Sequence, residues 1–145
     1  MGGALVALQF GLMLVLALLA AAQFQVAALP VAAMLPALAC LVLTVWTLWH
    51  NRLDNFNIHP APKDGARLIT TGPYRWIRHP MYSALLLGAA ALAWAAGSAI
   101  AWSAWGALAI VLLVKSGLEE RWLRQVHPGY AAYVTRSKGF LPWLF

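Results

Sequence analysis

The first 51 residues contain no Lys, Arg, Asp or Glu, and the first charge is Arg52. A second uncharged block runs from His79 to Val114. A helix needs about 20 apolar residues to cross the hydrocarbon of a bilayer, and backbone inside that layer must satisfy its own hydrogen bonds. Hydrophobic residues make up 63% of the chain and charged ones 10%, far from the mixture of a soluble globule. The fold class is therefore all-α integral membrane. At 145 residues the chain suits one domain: spans in 1–50, a loop at 51–80, a hairpin at 81–118 and a terminal segment at 119–145.

Gln23-Phe24-Gln25 and Pro30 divide the first block into helices at about 4–22 and about 30–49. Ala20-Ala21-Ala22 resembles a signal-peptide cleavage site, but the basic n-region of such a peptide is missing, so a retained span is the better reading. The second block is long for one span and short for two. Gly97-Ser98 breaks it, and Trp94, Trp102 and Trp105 gather around the break as interfacial aromatics do. Charge decides the count. Arg52, Lys63, Arg67, Arg75 and Arg78 lie before the block, and Lys115, Arg121, Arg124, Arg136 and Lys138 at its end and beyond. A tight hairpin, about 81–96 and 99–118, puts both basic groups in the cytoplasm, as the positive-inside rule asks. Four spans with both ends cytoplasmic are expected.

The formal net charge of +6 is explained by this placement, because basic residues beside spans orient a membrane protein and meet anionic lipid. Nucleic acid is not an expected partner. The single Cys40 allows no intramolecular disulfide. His50, His59, His79 and His127 show no ligand spacing, so no metal site is expected. There is no P-loop, no GxGxxG and no Ser/His/Asp arrangement.

Polar chemistry concentrates in two segments. One ends in Thr70-Thr71-Gly72-Pro73-Tyr74-Arg75-Trp76-Ile77-Arg78-His79-Pro80-Met81-Tyr82, where Gly and Pro favour turns. His79 then occupies an N-cap region, with Pro80 in the first helical turn, and the free amides of that turn suit a carboxylate or phosphate. The other begins where the fourth span emerges at Lys115 and carries Glu119-Glu120. Lys115 and Glu119, four apart, share a helix face. Adjacent Glu120 points about 100° away, so only one of the two acids should face a given pocket. After Pro128-Gly129, Tyr130 and Tyr133 lie three apart on a short helix, and 141–145 reads as an interfacial anchor. Taken singly, the tyrosines and Trp76 read equally as belt aromatics and Arg75 and Arg78 as topology determinants.

Together, Gly72-Pro73-Tyr74, Arg78-His79-Pro80-Met81-Tyr82, the hairpin, Glu119-Glu120 and Tyr130-Ala131-Ala132-Tyr133 resemble the isoprenylcysteine carboxyl methyltransferase superfamily. That group also contains phospholipid N-methyltransferases and many small bacterial members. The resemblance covers about residues 55–145. It implies S-adenosylmethionine as cofactor, S-adenosylhomocysteine as product and a pocket roofed by the cytoplasmic segments of a bacterial inner-membrane protein. By the same resemblance, Arg67, Leu68 and Ile69 would border the cofactor, Tyr74, His79, Pro80, Met81 and Tyr82 would line its pocket, and Glu119 would hold one of its polar groups. The family's substrate-side Arg corresponds to Lys115, which keeps the charge without the fork able to grip a carboxylate bidentately.

A carboxylate methyl acceptor needs no general base; an amine must be unprotonated, and Glu120 is then the nearest candidate catalytic base. With only four spans, the acceptor's wall falls to the first two helices or to another subunit, so a homo-oligomer is one expectation. A small apolar or lipid-like acceptor fits this better than prenylated cysteine. Two other classes stay open: an NADPH-dependent intramembrane reductase, whose C-terminal half resembles the same superfamily, and a non-enzymatic membrane protein on this scaffold.

Overall fold

A computed structural model of the chain describes residues 2–26, 28–51 and 68–140. Among these the regular structure is helical throughout: α1 Gly2–Phe24, α2 Val31–Asn51, a 3-10 turn at Gly72–Arg75, α3 Pro80–Ala96, α4 Ala99–Val126 and α5 Tyr130–Val134. Helices α1, α2 and α4 are long and apolar enough to cross a membrane. The 17 residues of α3 stand at the lower limit of about 17 for a span. The anchor expected at 141–145 and most of the 51–80 loop lie outside the described residues.

Each boundary has a local cause. His79 is the N-cap of α3 and Pro80 its first residue, where the missing proline N–H breaks no helical bond. Gly97 ends α3 in the left-handed conformation at φ 59°, and Ser98 caps α4 by accepting the Ala101 N–H at 3.2 Å. These two residues make the expected hairpin turn. Trp94 and Trp102 pack edge-on at 5.3 Å, Trp102 and Trp105 at 5.8 Å, and the Trp105 indole donates to the Leu86 carbonyl at 2.9 Å. Helix α4 runs on to Val126, past the end expected at 118, so Glu119 and Glu120 ride on a continuous helix.

Helix α3 is the centre of the bundle and touches α1, α2 and α4. Its buried face is small: Ser83, Ala84, Ala89, Ala91, Ala93, Ala95 and Ala96. Ala89, Ala93 and Ala96 meet Ala101, Ala104, Leu108 and Leu112 of α4 and Leu16 of α1. Small side chains let helix backbones approach closely, which is how spans gain packing energy without a hydrophobic drive. Large apolar residues such as Leu14, Leu18, Leu35, Leu38 and Ile110 point outward, as lipid-facing residues of spans do.

The turn at Gly72 is wedged against the end of α2. Gly72 has φ +59°, and a Cβ built there would lie 2.3 Å from the His50 ring. Gly97 has the same φ with open space around it. Gly97→Ala should therefore cost roughly the 1–2 kcal/mol of left-handed strain. Gly72→Ala should cost clearly more, because the imidazole must also move. Melting curves of the two variants in the same detergent compare them directly; equal losses would mean that the His50 ring yields freely.

Candidate functional site

The start of α3, the C-terminal part of α4 and the segment after α5 meet at one cluster. The segments 76–79 and 138–139 pair like two short parallel strands. The Arg78 N–H donates to the Lys138 carbonyl at 2.7 Å, the Lys138 N–H to the Trp76 carbonyl at 2.8 Å, and the His79 N–H to the Gly139 carbonyl at 3.0 Å. The Ser83 hydroxyl adds bonds to the carbonyls of His79 and Phe140. Backbone pairing of this kind leaves few buried donors without acceptors and holds the first turn of α3 rigidly.

Side chains then converge on the two glutamates. Arg78 Nε donates to Glu120 Oε1 at 2.8 Å, and its Nη1 reaches the Ser137 carbonyl. His79 Nε2 lies 3.0 Å from the same Glu120 oxygen, so that nitrogen carries the proton. On the opposite edge of the ring, Nδ1 lies 3.6 Å from Glu119 Oε2. The Tyr82 hydroxyl donates to Glu119 Oε2 at 3.1 Å. The rings of His79 and Tyr82 stack at 5.5 Å, and Phe140 packs against His79 at 5.7 Å.

The two adjacent acids both lie beside the His79 ring. Their side chains diverge around the helix and lie on either side of that ring, with Glu120 hydrogen-bonded to Nε2 and Glu119 3.6 Å from Nδ1. The acids differ in what they have left to offer. Glu120 Oε1 is taken by two donors, and Oε2 lies 3.8 Å from Arg124. Glu119 has one donated hydrogen bond, from Tyr82, and is about twice as open, at 34% against 18% exposure.

Lys115 is not at an exposed helix end. It is 1% exposed, its Nζ donates to Gln9 Oε1 of α1 at 2.6 Å, and it sits over the Tyr82 ring at 5.4 Å, within cation–π range. Tyr74 stands beside the cluster. Its carbonyl accepts the Tyr133 hydroxyl at 2.7 Å, and burial, helped by the charge of Glu119, pushes its own phenol well above the usual range. Burial likewise pushes Tyr133 up to about 12. Both phenols are hydrogen-bond donors at neutral pH.

Of the residues expected from the sequence, His79, Tyr82, Lys115, Glu119 and Glu120 are thus in one network, with Tyr74 tied to it through Tyr133. Pro80 is buried as the first residue of α3. Leu68, Ile69 and Met81 are half-buried, and among the described residues no hydrogen bond or ring contact joins them to the network. Arg67 lies outside the described residues. Sequence reasoning missed Gln9, although it is the single polar side chain between residues 2 and 22. Arg78, Tyr130 and Tyr133 entered that reasoning as parts of the motifs that carry the resemblance, without a part in the site.

Two comparisons with known proteins bear on this arrangement. The phospholipid methyltransferase family matches residues 29–129, a range holding α2, α3, α4 and both glutamates. The cobalt-zinc-cadmium resistance protein CzcN of Cupriavidus metallidurans is 38% identical over 79 residues, covering 53% of this chain and 36% of that protein. The chain therefore spans only about a third of that relative's length. With a family match running through the helices and the clustered acids, this chain, whose described residues form helices of which three are long enough to be spans, belongs to the phospholipid methyltransferase family.

Proposed function

We propose that the protein is an integral-membrane methyltransferase that uses S-adenosylmethionine and acts at the cytoplasmic face on a small apolar or lipid-like acceptor. Family membership supports the reaction class. The observation that carries the cofactor reading is Glu119: a carboxylate held by Tyr82, one-third open, with acceptor capacity to spare. A cofactor with an ammonium and ribose hydroxyls needs such an acceptor. Beside it stand a buried cation, the stacked rings of His79 and Tyr82, and a rigid first turn of α3. These residue types fit the group.

When bound, S-adenosylmethionine supplies a methyl group on a positively charged sulfur. Glu119 then binds a cofactor ammonium or hydroxyl, and Tyr82 orients that carboxylate while offering its ring face to positive charge. Pro80 and Met81, with Leu68 and Ile69 at the rim, border the pocket, and Tyr74 closes its side. Lys115 faces the acceptor. An acceptor carboxylate needs no deprotonation, so in-line alignment supplies much of the rate. Glu120, saturated by Arg78 and His79, acts by holding those two residues and not as a free base. The chain sits in a bacterial inner membrane with four spans and both termini cytoplasmic, and pairing with a second copy would complete the acceptor's wall.

Reporter fusions after Gln25, Arg67, Gly97 and Lys138 should read outside, inside, outside and inside; a cytoplasmic reading at Gly97 would remove the hairpin from the membrane. S-adenosylhomocysteine at 100 times its dissociation constant should stabilise the fold by about 2.7 kcal/mol. Absence of any shift in melting with millimolar S-adenosylmethionine or S-adenosylhomocysteine would defeat the reading.

The two acids should separate in the same assay. Glu119→Gln should weaken S-adenosylhomocysteine binding by about 1.5–3 kcal/mol, the range for a hydrogen bond with a charged partner, with little change in ligand-free melting. Glu120→Gln should instead destabilise the ligand-free protein by a similar amount, because the Arg78 guanidinium loses its carboxylate. Reversed phenotypes would mean that the roles of the two glutamates are exchanged.

A further inference from the structure

Among the described residues, two buried side-chain hydroxyls have no hydrogen-bond partner: those of Thr47 and Tyr130. Thr47 lies inside α2, with nothing around it that identifies a ligand. Tyr130 is different. It is 1% exposed and stands on α5, which touches α4, the helix that carries both glutamates; burial first, and then the charge of Glu120, raise its phenol. A buried polar group left without a partner costs about 1–3 kcal/mol, and groups of this kind in native structures call for an explanation.

The neighbouring tyrosine sharpens the contrast. Tyr133, on the same five-residue helix, packs edge-on against Tyr130 at 5.8 Å. Its hydroxyl is satisfied by the Tyr74 carbonyl. The two tyrosines thus have separate tasks: Tyr133 ties α5 to the Gly72–Arg75 turn, whereas Tyr130 presents a hydroxyl that the protein leaves unused. Burial raises the Tyr130 phenol well above its ordinary range, so at neutral pH it has a proton to donate.

We propose that the Tyr130 hydroxyl is a ligand contact that donates to the carboxylate of the amino-acid head of S-adenosylmethionine, opposite Glu119, which takes the ammonium. This rests on the methyltransferase reading given above. The complementarity is one of charge and hydrogen-bond sense. A zwitterionic head needs an acceptor for its ammonium and a donor for its carboxylate within a few ångströms of each other. Glu119 is the acceptor with capacity to spare, and Tyr130 is the donor without a partner. Arg78 is fixed in the clamp by the bonds from its Nε and Nη1 to Glu120 and Ser137, whereas the Tyr130 hydroxyl has no bond to give up.

The test measures binding of S-adenosylhomocysteine and of 5′-methylthioadenosine, which shares the nucleoside but lacks the amino-acid head. Both are titrated into the full chain in detergent, wild type and Tyr130→Phe, alongside ligand-free melting. The phenylalanine variant should melt no lower than wild type, since it removes an unsatisfied group. It should bind S-adenosylhomocysteine roughly 10- to 150-fold more weakly, the effect of one lost hydrogen bond to a charged group, and bind 5′-methylthioadenosine unchanged. Unchanged affinity for both ligands would overturn the proposal and assign the site to a structural water. Equal losses for both would overturn it in favour of a nucleoside contact, and a lower ligand-free melting temperature would show that the hydroxyl serves the fold. Failure of wild type to bind either ligand would instead strike the methyltransferase reading itself.

Discussion

The Arg78–Glu120–His79 clamp is the interaction on which the end of the molecule carrying the two glutamates depends. One carboxylate oxygen of α4 accepts from two consecutive residues just ahead of α3, and the same guanidinium holds the carbonyl of Ser137. Three segments distant in the chain are thereby fixed to one another. The Arg78 and Glu120 side chains are mostly buried, at 12% and 18% exposure, so the pair is less screened than a surface ion pair. Removing one partner of such a pair leaves an uncompensated charge, which costs far more than the intact pair contributes.

The clamp also explains how two adjacent glutamates can serve one site. Like charges next to each other on a helix repel, and Arg78 and Arg124 neutralise Glu120 on both of its oxygens. Glu119 is then left with Tyr82 and with the Nδ1 edge of His79. An open carboxylate beside a neutralised one can bind a cationic group without a net acidic patch. Preorganisation of this sort is how a site avoids reorganisation costs when the reacting groups arrive.

A second constraint comes from the membrane. Lys115 is the first charge after the long apolar stretch, and it is almost fully buried. An ammonium in that position must be solvated by protein. Gln9 supplies an acceptor from α1, and the Tyr82 ring supplies a face. Through Lys115, α1, which begins outside the range matched by the family, is coupled to the site. The clustered small residues of α3 permit this, since a bulkier face would hold α1 and α4 apart.

Helix number, the hairpin turn at Gly97-Ser98 and the N-terminus of α3 at His79-Pro80 were legible in the sequence, because each follows from local rules. Uncharged length demands a helix in hydrocarbon, a left-handed glycine ends one, and a proline opens one. The residue types of the site were legible too, since polar side chains are scarce in this chain and fall in two segments. What the tertiary structure alone decided is which of them meet. The parallel pairing of 76–79 with 138–139 joins residues about sixty positions apart, and backbone pairing of that kind leaves no periodic signal in a single strand segment. That the His79 ring sits beside both glutamates depends on the rotation of α3 against α4. The same packing turned Lys115 inward to Gln9 and left the Tyr130 hydroxyl buried without a partner.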